Sequence, residues 1–401
     1  APAPAPGPRA YSLVAAFGGS GVWRSAPGPG RGGATAASSP APAPSPHTSL
    51  HHTMEDCRFV EKVVCGRHAR AVSSVKYSAD GRLLVSGSAD ATAKLWGASN
   101  GEERGVLAGH TQGISDVAVS NDGATVATAS DDRTIGLWDV ERKTRVHTCQ
   151  GHTSYVFCVR FNPRCNLLAS GSFDEHVRFW DPRSGSCVRE IPAHSDPVTA
   201  VDFNARDDDS RLVSSSHDGL MRIWDVASGK CLTTLFAEST PAVCFVRYTP
   251  NGRYILSNTL DCKIRLWDCN NPSKCVKLYR NHVNRKYCCM SDFAVSSIKM
   301  VVSGSEDGAI YLWDLQTRKQ LQKLQTGSSV VLGVATHPKA DIIASGGSGS
   351  DSVVQLWELR NVDEDDNVEV AESADPPLAE PAAASKIKQD PSRDDDGFAS
   401  S

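Results

Sequence analysis

Tryptophan returns on a near-fixed beat through most of this chain, and each copy has an aspartate six residues before it. The pairs are Asp90/Trp96, Asp132/Trp138, Asp174/Trp180, Asp218/Trp224, Asp261/Trp267, Asp307/Trp313 and Asp351/Trp357. The intervals between these tryptophans are 42, 42, 44, 43, 46 and 44 residues. A unit of that length is too short to bury a core alone, so neighbouring units have to cover one another. The repeat is unbroken, which implies one large closed domain rather than several separate ones.

Within a unit the pattern is that of short strands. In residues 152–181, the run Tyr155 to Phe161 is followed by a turn at Asn162-Pro163 and a second run, Leu167 to Ser172. A tight turn at Phe173-Asp174-Glu175 then leads into Val177 to Trp180. Runs of this kind, punctuated by Asn-Pro, Asp-Gly and Ser-Gly, are strand and hairpin signals. Asp218-Gly219, Asn251-Gly252 and Asp307-Gly308 repeat the punctuation. Four strands per unit of about 43 residues, keyed to a recurring tryptophan, mark a WD-repeat β-propeller. The expected fold is all-β: a seven-bladed propeller over residues 56–360, between a disordered Ala/Pro/Gly-rich leader (1–55) and an acidic disordered tail (361–401). Phe59 to Val64 should form the outer strand of the last blade beside Val353 to Trp357, because closure leaves no edge only when one chain end completes the sheet begun by the other.

Charge and cysteine usage narrow the function. Residues 1–53 hold three arginines and no acid, while residues 361–401 hold twelve acids against three bases, so the formal charge of −4 leaves the repeat region near neutral. No basic footprint for direct nucleic-acid binding is present. The thirteen cysteines are scattered, odd in number and without a C-x-x-C pair, which fits free thiols in a reducing, intracellular compartment. There is no apolar run of 18 residues, and so no expected membrane span. The first methionine is Met54, where folded sequence begins, and the leader before it is expected to carry no function. Ile387-Lys388-Gln389-Asp390 fits the apolar-Lys-x-acid pattern of a sumoylation site.

Motifs that suggest chemistry have plainer explanations. His194-Ser195-Asp196 looks like a triad, but adjacent residues of an extended chain point to opposite sides and do not converge. Cys288-Cys289 has no neighbouring histidine motif or basic run to activate a thiolate. Gly346-Gly347-Ser348-Gly349 lacks the lysine and the following helix of a phosphate loop. His51-His52 lacks the further ligands of a zinc site, so neither metal nor cofactor is expected. A histidine does recur before the tryptophan: His68, His110 and His152 by 28 residues, His194 by 30 and His282 by 31. The resemblance to WD-repeat proteins implies a buried relay running from Trp96, Trp138, Trp180, Trp224 and Trp313 through a strand hydroxyl to these histidines. It ends on Asp90, Asp132, Asp174, Asp218 and Asp307. The candidate hydroxyls are Ser86 or Ser88, Ser130, Ser170 or Ser172, Ser214 or Ser216, and Ser303 or Ser305. Leaving a buried indole N–H unpaired costs roughly 1–3 kcal/mol, so this role is structural. Blades five and seven lack the histidine, and their inner loops should be less tightly pinned.

The remaining candidate site is the central opening. Ser115, Phe157, Thr199 and Cys244 fall at equivalent starts of the innermost strands, with Asp131 and Phe173 at equivalent turns. An aromatic face beside a carboxylate suits an arginine side chain, which stacks through its guanidinium and donates from its edge.

Stretches such as Gly113-Ile114-Ser115-Asp116-Val117, Ser170-Gly171-Ser172-Phe173-Asp174-Glu175, Pro250-Asn251-Gly252-Arg253-Tyr254 and Lys286-Tyr287-Cys288 go beyond the generic repeat. Through them the chain resembles the arginine-reading adaptor subunit of COMPASS/trithorax-type histone methyltransferase complexes. The resemblance implies a central pocket for histone-tail and methyltransferase arginine-motif peptides, matched here by Ala89, Ser115, Asp131, Phe157, Phe173, Tyr287 and Cys288. Phe157 would stack on the guanidinium, the Cys288 carbonyl would accept from it, and Asp131 would hold the peptide backbone. It also implies a groove on the opposite side for an acidic, hydrophobic partner segment, matched by Asn251, Tyr254, Leu266, Lys277 and Gln316. The chain departs from the family where Met290 replaces the second aromatic, Thr199 and Cys244 replace pocket serines, and His217 replaces a tyrosine. Methionine packs on a guanidinium without a ring quadrupole, so arginine affinity is expected to weaken by roughly 1 kcal/mol. The expected protein is a non-catalytic nuclear scaffold, with the cytoplasm as the alternative location. Its propeller should be monomeric and should help assemble a histone-lysine methyltransferase. The competing function is a general WD-repeat scaffold such as a ubiquitin-ligase substrate receptor or a signalling adaptor.

Overall fold

The computed structural model describes residues 57–206, 210–349 and 352–361, apart from the side chains of Pro272 and Ser273. The leader, the acidic tail, His51-His52, Lys388 and Asp351 lie outside the described residues. The described residues form strands and no helix, β1 to β28 in chain order. They assemble into seven four-stranded antiparallel sheets, six of them simple meanders of consecutive strands. The seventh has the order β1-β28-β27-β26: β1 (Cys57–Arg67) pairs with β28 (Val353–Asn361), with Phe59 opposite Leu359 and Glu61 opposite Trp357.

The sheets are blades of a ring. Their innermost strands are β2 (Val72–Tyr77), β6 (Ile114–Val119), β10 (Val156–Phe161), β14 (Val198–Phe203), β18 (Val243–Tyr248), β22 (Ser291–Ala294) and β26 (Val330–Thr336). Each contacts the next, and β26 contacts β2. Seven apolar clusters fill the spaces between consecutive blades. One joins Leu83, Val85 and Leu95 of blade one to Ile114, Val117 and Trp138 of blade two, and another joins Val72, Leu84 and Trp96 to Ile342, Ala344 and Leu356 of blade seven. Each blade's tryptophan thus packs on the blade before it, which is why the repeat cannot tolerate a polar residue there.

One device repeats at the start of the inner strands. In six blades the register slips by one residue, and the residue passed over is Ser73, Ser115, Phe157, Thr199, Cys244 or Leu332. A β-bulge leaves that residue unpaired and re-aims its side chain. In blade six, Met290 takes the corresponding place just ahead of β22, its N–H donating to Leu332 O at 2.8 Å.

Candidate functional site

The relay is built in four blades and its polarity follows from the carboxylate. Trp180 Nε1 donates to Ser170 Oγ at 2.8 Å, Ser170 Oγ meets His152 Nε2 at 2.7 Å, and His152 Nδ1 meets Asp174 Oδ2 at 2.8 Å. An ionised Asp174 only accepts, so Nδ1 carries the proton, Nε2 accepts from the serine, and the serine oxygen takes the indole N–H. Asp174 Oδ2 also accepts from Thr153 N at 2.9 Å, which fastens the inter-blade loop to the hairpin turn. The same chain runs Trp96–Ser86–His68–Asp90 and Trp224–Ser214–His194–Asp218. In blade two the hydroxyl is Thr128 rather than Ser130, completing Trp138–Thr128–His110–Asp132. Ser130 lies one pleat further along the strand and caps the Asp132 N–H instead. Burial acts to raise the carboxyls of Asp90, Asp132 and Asp174, but hydrogen bonds from the histidines overcome it and hold all three well below the usual range.

Blade six departs from the expected relay. Trp313 Nε1 donates to Arg280 O at 3.0 Å, and Ser303 Oγ turns to Gly304 O. Both ring nitrogens of buried His282 lack a hydrogen-bond partner among the described residues. The cause is Tyr311. Its ring stacks on Trp313 at 5.7 Å and its hydroxyl donates to Asp307 Oδ2, which Lys323 also holds, so the oxygen that the histidine takes in the other blades is already engaged. Blade five, which has no histidine, is pinned by other means: Arg265 Nη2 and Lys263 Nζ reach Asp261 Oδ2 at 2.6 and 2.9 Å, while Trp267 still finds Ser257. These bonds hold Asp261 within its own hairpin, and none of them reaches residues 238–241, where the histidine is missing.

At the mouth where the inner strands begin, the bulged residues converge. Ser73, Ser115, Phe157, Thr199, Cys244, Phe245, Cys288, Met290 and Leu332 line one pocket. Six of these belong to the arginine pocket expected from sequence. Ser73, Phe245 and Leu332 were missed, although counting back from Trp96 and Trp357 finds the first and the last at the bulge. Phe173 supports the site from behind, its ring stacked on Phe157 at 5.6 Å and 21°. Asp131 stands beside it: Oδ1 accepts from Ser115 Oγ at 2.9 Å, and burial pushes the carboxyl up to about 6 against that bond. Ala89, buried, backs the rim next to Gly113, where an added Cβ would lie 3.1 Å from the Ala89 Cα. Tyr287 sits outside the lining, its N–H held by Glu306 at 2.8 Å, and His217 is likewise outside it. Burial drives the Cys288 thiol up to about 12 and raises Cys289 well above the usual thiol range, so neither is an activated nucleophile. A residue that sequence reasoning did not single out lies beneath: Lys76 Nζ is 3.4 Å from Met290 Sδ.

The second set gathers at the seam of blades five and six. Leu266 pairs across the sheet with Lys277, whose Nζ donates to Leu315 O at 2.7 Å and to Gln316 Oε1 at 3.2 Å. Tyr254 packs against the cluster containing Leu266 and Trp313, with the Arg253 guanidinium 5.7 Å from its ring. Asn251 occupies the turn just before Tyr254, where its Oδ1 accepts from Thr249 Oγ1. All thirteen cysteines are free, and no cluster of three or more metal-ligating side chains occurs among the described residues.

A closed seven-bladed ring with each tryptophan anchored in its own blade defines a WD-repeat β-propeller, a fold that typically serves as a scaffold for protein–protein interaction rather than as a catalyst. More particularly, the chain belongs to the WDR5 beta-propeller domain family, whose model matches residues 64–358. It is also similar to WD repeat domain-containing protein 83 of Danio rerio, 35% identical over 118 residues, or 29% of this chain and 34% of that protein. Human pre-mRNA-processing factor 17 is 29% identical over 117 residues, 28% of this chain and 20% of its own length. The WD repeat-containing protein WDS homolog of Arabidopsis thaliana is 29% identical over 107 residues, 27% of this chain and 20% of its own length. The matched stretch therefore spans about a third or less of each of these relatives.

Proposed function

We propose that this protein is a nuclear adaptor that grips arginine-containing peptides in the central pocket and helps assemble a histone-lysine methyltransferase complex. The observation that supports this most directly is the meeting of Phe157, Met290 and Asp131 at one mouth. An aromatic face backed by Phe173, a thioether and a carboxylate are the three surfaces a guanidinium with its attached peptide backbone can use. Ser73 and Thr199 spend their hydroxyls on carbonyls of the next blade, so they shape the opening, and recognition falls to Phe157, Met290, Asp131 and strand carbonyls. The seam holding Tyr254, Leu266, Lys277 and Gln316 is the docking groove for a second subunit, with Lys277 as its cation for an acidic segment.

Calorimetric titration with an arginine-bearing histone-tail peptide tests the pocket. Binding is expected, with Phe157→Ala lowering affinity at least about tenfold, the loss of one stacked guanidinium contact. No measurable binding, or full binding by Phe157→Ala, would overturn the reading. Recovery of methyltransferase subunits with the tagged protein, reduced by Tyr254→Ala, tests the groove.

A further inference from the structure

The other mouth of the ring, where the inner strands end, holds a cavity of about 470 Å³. Asp202, Arg247 and Asp292 line its floor, as part of a larger set of charges on consecutive inner strands. Asp116 pairs with Arg160 at 2.7 Å, and Asp292 with Arg247 at 2.5 Å. Asp202 stands between the two arginines, and its Oδ2 accepts from Tyr248 N at 2.7 Å. Burial raises the Asp202 carboxyl against the pull of Arg247 and Arg160, and Lys76 faces it from the first inner strand.

Two edges of that floor remain unused. Arg247 spends Nη1 on Asp292 and attracts Asp202 across the floor, but no hydrogen bond from its Nε or Nη2 occurs among the described residues, and its side chain is 35% exposed. Asp202 spends one oxygen on Tyr248, and its Oδ1 accepts from nothing among the described residues. Both groups line the cavity, and the walls above them are apolar: Phe161, Phe203 and Pro250. A bound carboxylate would meet Arg247 but be repelled by Asp202, and an ammonium would meet the reverse. A neutral group that accepts on one atom and donates from the next satisfies both without bringing net charge into the ring. A primary carboxamide does so from a single edge, whereas a trans peptide unit points its N–H and C=O in opposite directions.

We propose that this cavity is a second peptide site, which takes a glutamine or asparagine side chain flanked by apolar residues, its C=O accepting from Arg247 and its NH2 donating to Asp202. The site is independent of the arginine pocket, which opens at the other end of the channel. A site with buried polar edges rejects an analogue that leaves them unpaired far more strongly than an apolar pocket rejects a size change.

The test uses the full chain and a fluorescein-labelled hexapeptide, Ala-Pro-Leu-Gln-Leu-Pro, with versions carrying Glu, Lys or Met in place of Gln, read by fluorescence polarisation. The Gln peptide is expected to bind at least about tenfold more tightly than the other three. Ala205→Trp, at an exposed position on the cavity rim, should abolish that binding with no change in melting temperature, while Phe157→Ala should leave it intact. The proposal is overturned if no version binds, if the Met peptide binds as well as the Gln peptide, or if binding survives Ala205→Trp.

Discussion

A single hydroxyl decides whether a blade's tryptophan is satisfied. Ser170 Oγ serves both Trp180 Nε1 and His152 Nε2, so Ser170→Ala leaves a buried donor and a buried acceptor unpaired. A loss of about 1–3 kcal/mol is expected. Ser303 stands at the same register in blade six but among the described residues its hydroxyl bonds only Gly304 O, and Ser303→Ala should cost less than about 1 kcal/mol. Urea denaturation of the two variants gives the comparison, and equal losses would show that the relay contributes nothing. Lys76 sets a different measurable property. Burial, and after it the Arg160 guanidinium, pushes the Lys76 ammonium down to about 7, with Asp116, Arg247, Asp292 and Asp202 also facing it. A guanidinium seated against Met290 would be repelled by charged Lys76, so binding is linked to loss of that proton. Above about pH 7 the lysine is already neutral and the penalty is absent; below it the penalty grows. Asp131, pushed by burial up to about 6, loses its charge over the lower part of the same window, and the two effects add. Arginine-peptide affinity should therefore fall several-fold from pH 8 to pH 5.5, and Lys76→Met should retain only the part due to Asp131. A flat wild-type profile would remove Lys76 from the pocket's electrostatics.

At the level of blades, what could be read from the chain was whatever is carried by counting. The tryptophan spacing fixes seven sheets, and alternation within each unit fixes which residues face the neighbouring blade. The same count placed Ser115, Phe157, Thr199 and Cys244 at one mouth. It did not reveal why they face the opening, because a bulge consumes one residue in nearly every inner strand and so leaves the spacing unchanged. Lys76 was illegible for a related reason: on its own strand it is an ordinary charged residue, and only ring closure places it under Met290. Blade six failed on a different point. His282, Asp307 and Trp313 are all present, yet the residue two before the tryptophan decides whether they meet, and Tyr311 takes the aspartate for itself. The consequence is measurable. Burial pushes the His282 imidazole down to about 4, so the unfolded chain takes up a proton near pH 6.5 and the folded chain does not. Stability from this residue is fully present above about pH 6.5 and is lost as pH falls towards 4, up to roughly 3 kcal/mol at 1.36 kcal/mol per unit. His152 and His194 are also lowered by burial, so the wild-type decline has several sources, and the difference from His282→Leu isolates one. Denaturation midpoints at pH 7.5 and 4.5 should diverge less in the variant, and an identical decline would sink this assignment.

For the whole ring, nearly all pairing is local. Six sheets are made from consecutive strands, and only β1 with β28 joins residues about three hundred positions apart. That pairing bears the entropic cost of closing the chain, and everything on the axis depends on it, since both mouths exist only in a closed ring. Phe59 is the anchor. It is 2% exposed, packs with Met300, Val302 and Trp357 across the seam of blades six and seven, and exchanges two hydrogen bonds with the Gln322 amide of blade six. Phe59→Ala should cost about 3–5 kcal/mol, the usual range for a buried phenylalanine. Removing residues 57–67 goes further, because it strips β28 of its outer partner and presents a row of bare N–H and C=O groups to other molecules. The shortened protein is expected to leave the monomer position on size-exclusion chromatography and to lose cooperative melting. Phe59→Ala, which keeps the strand, should stay monomeric with a lowered midpoint. If the shortened protein remained a monomer with an unchanged midpoint, β1 would be an ornament on a ring held by its seven apolar seams alone.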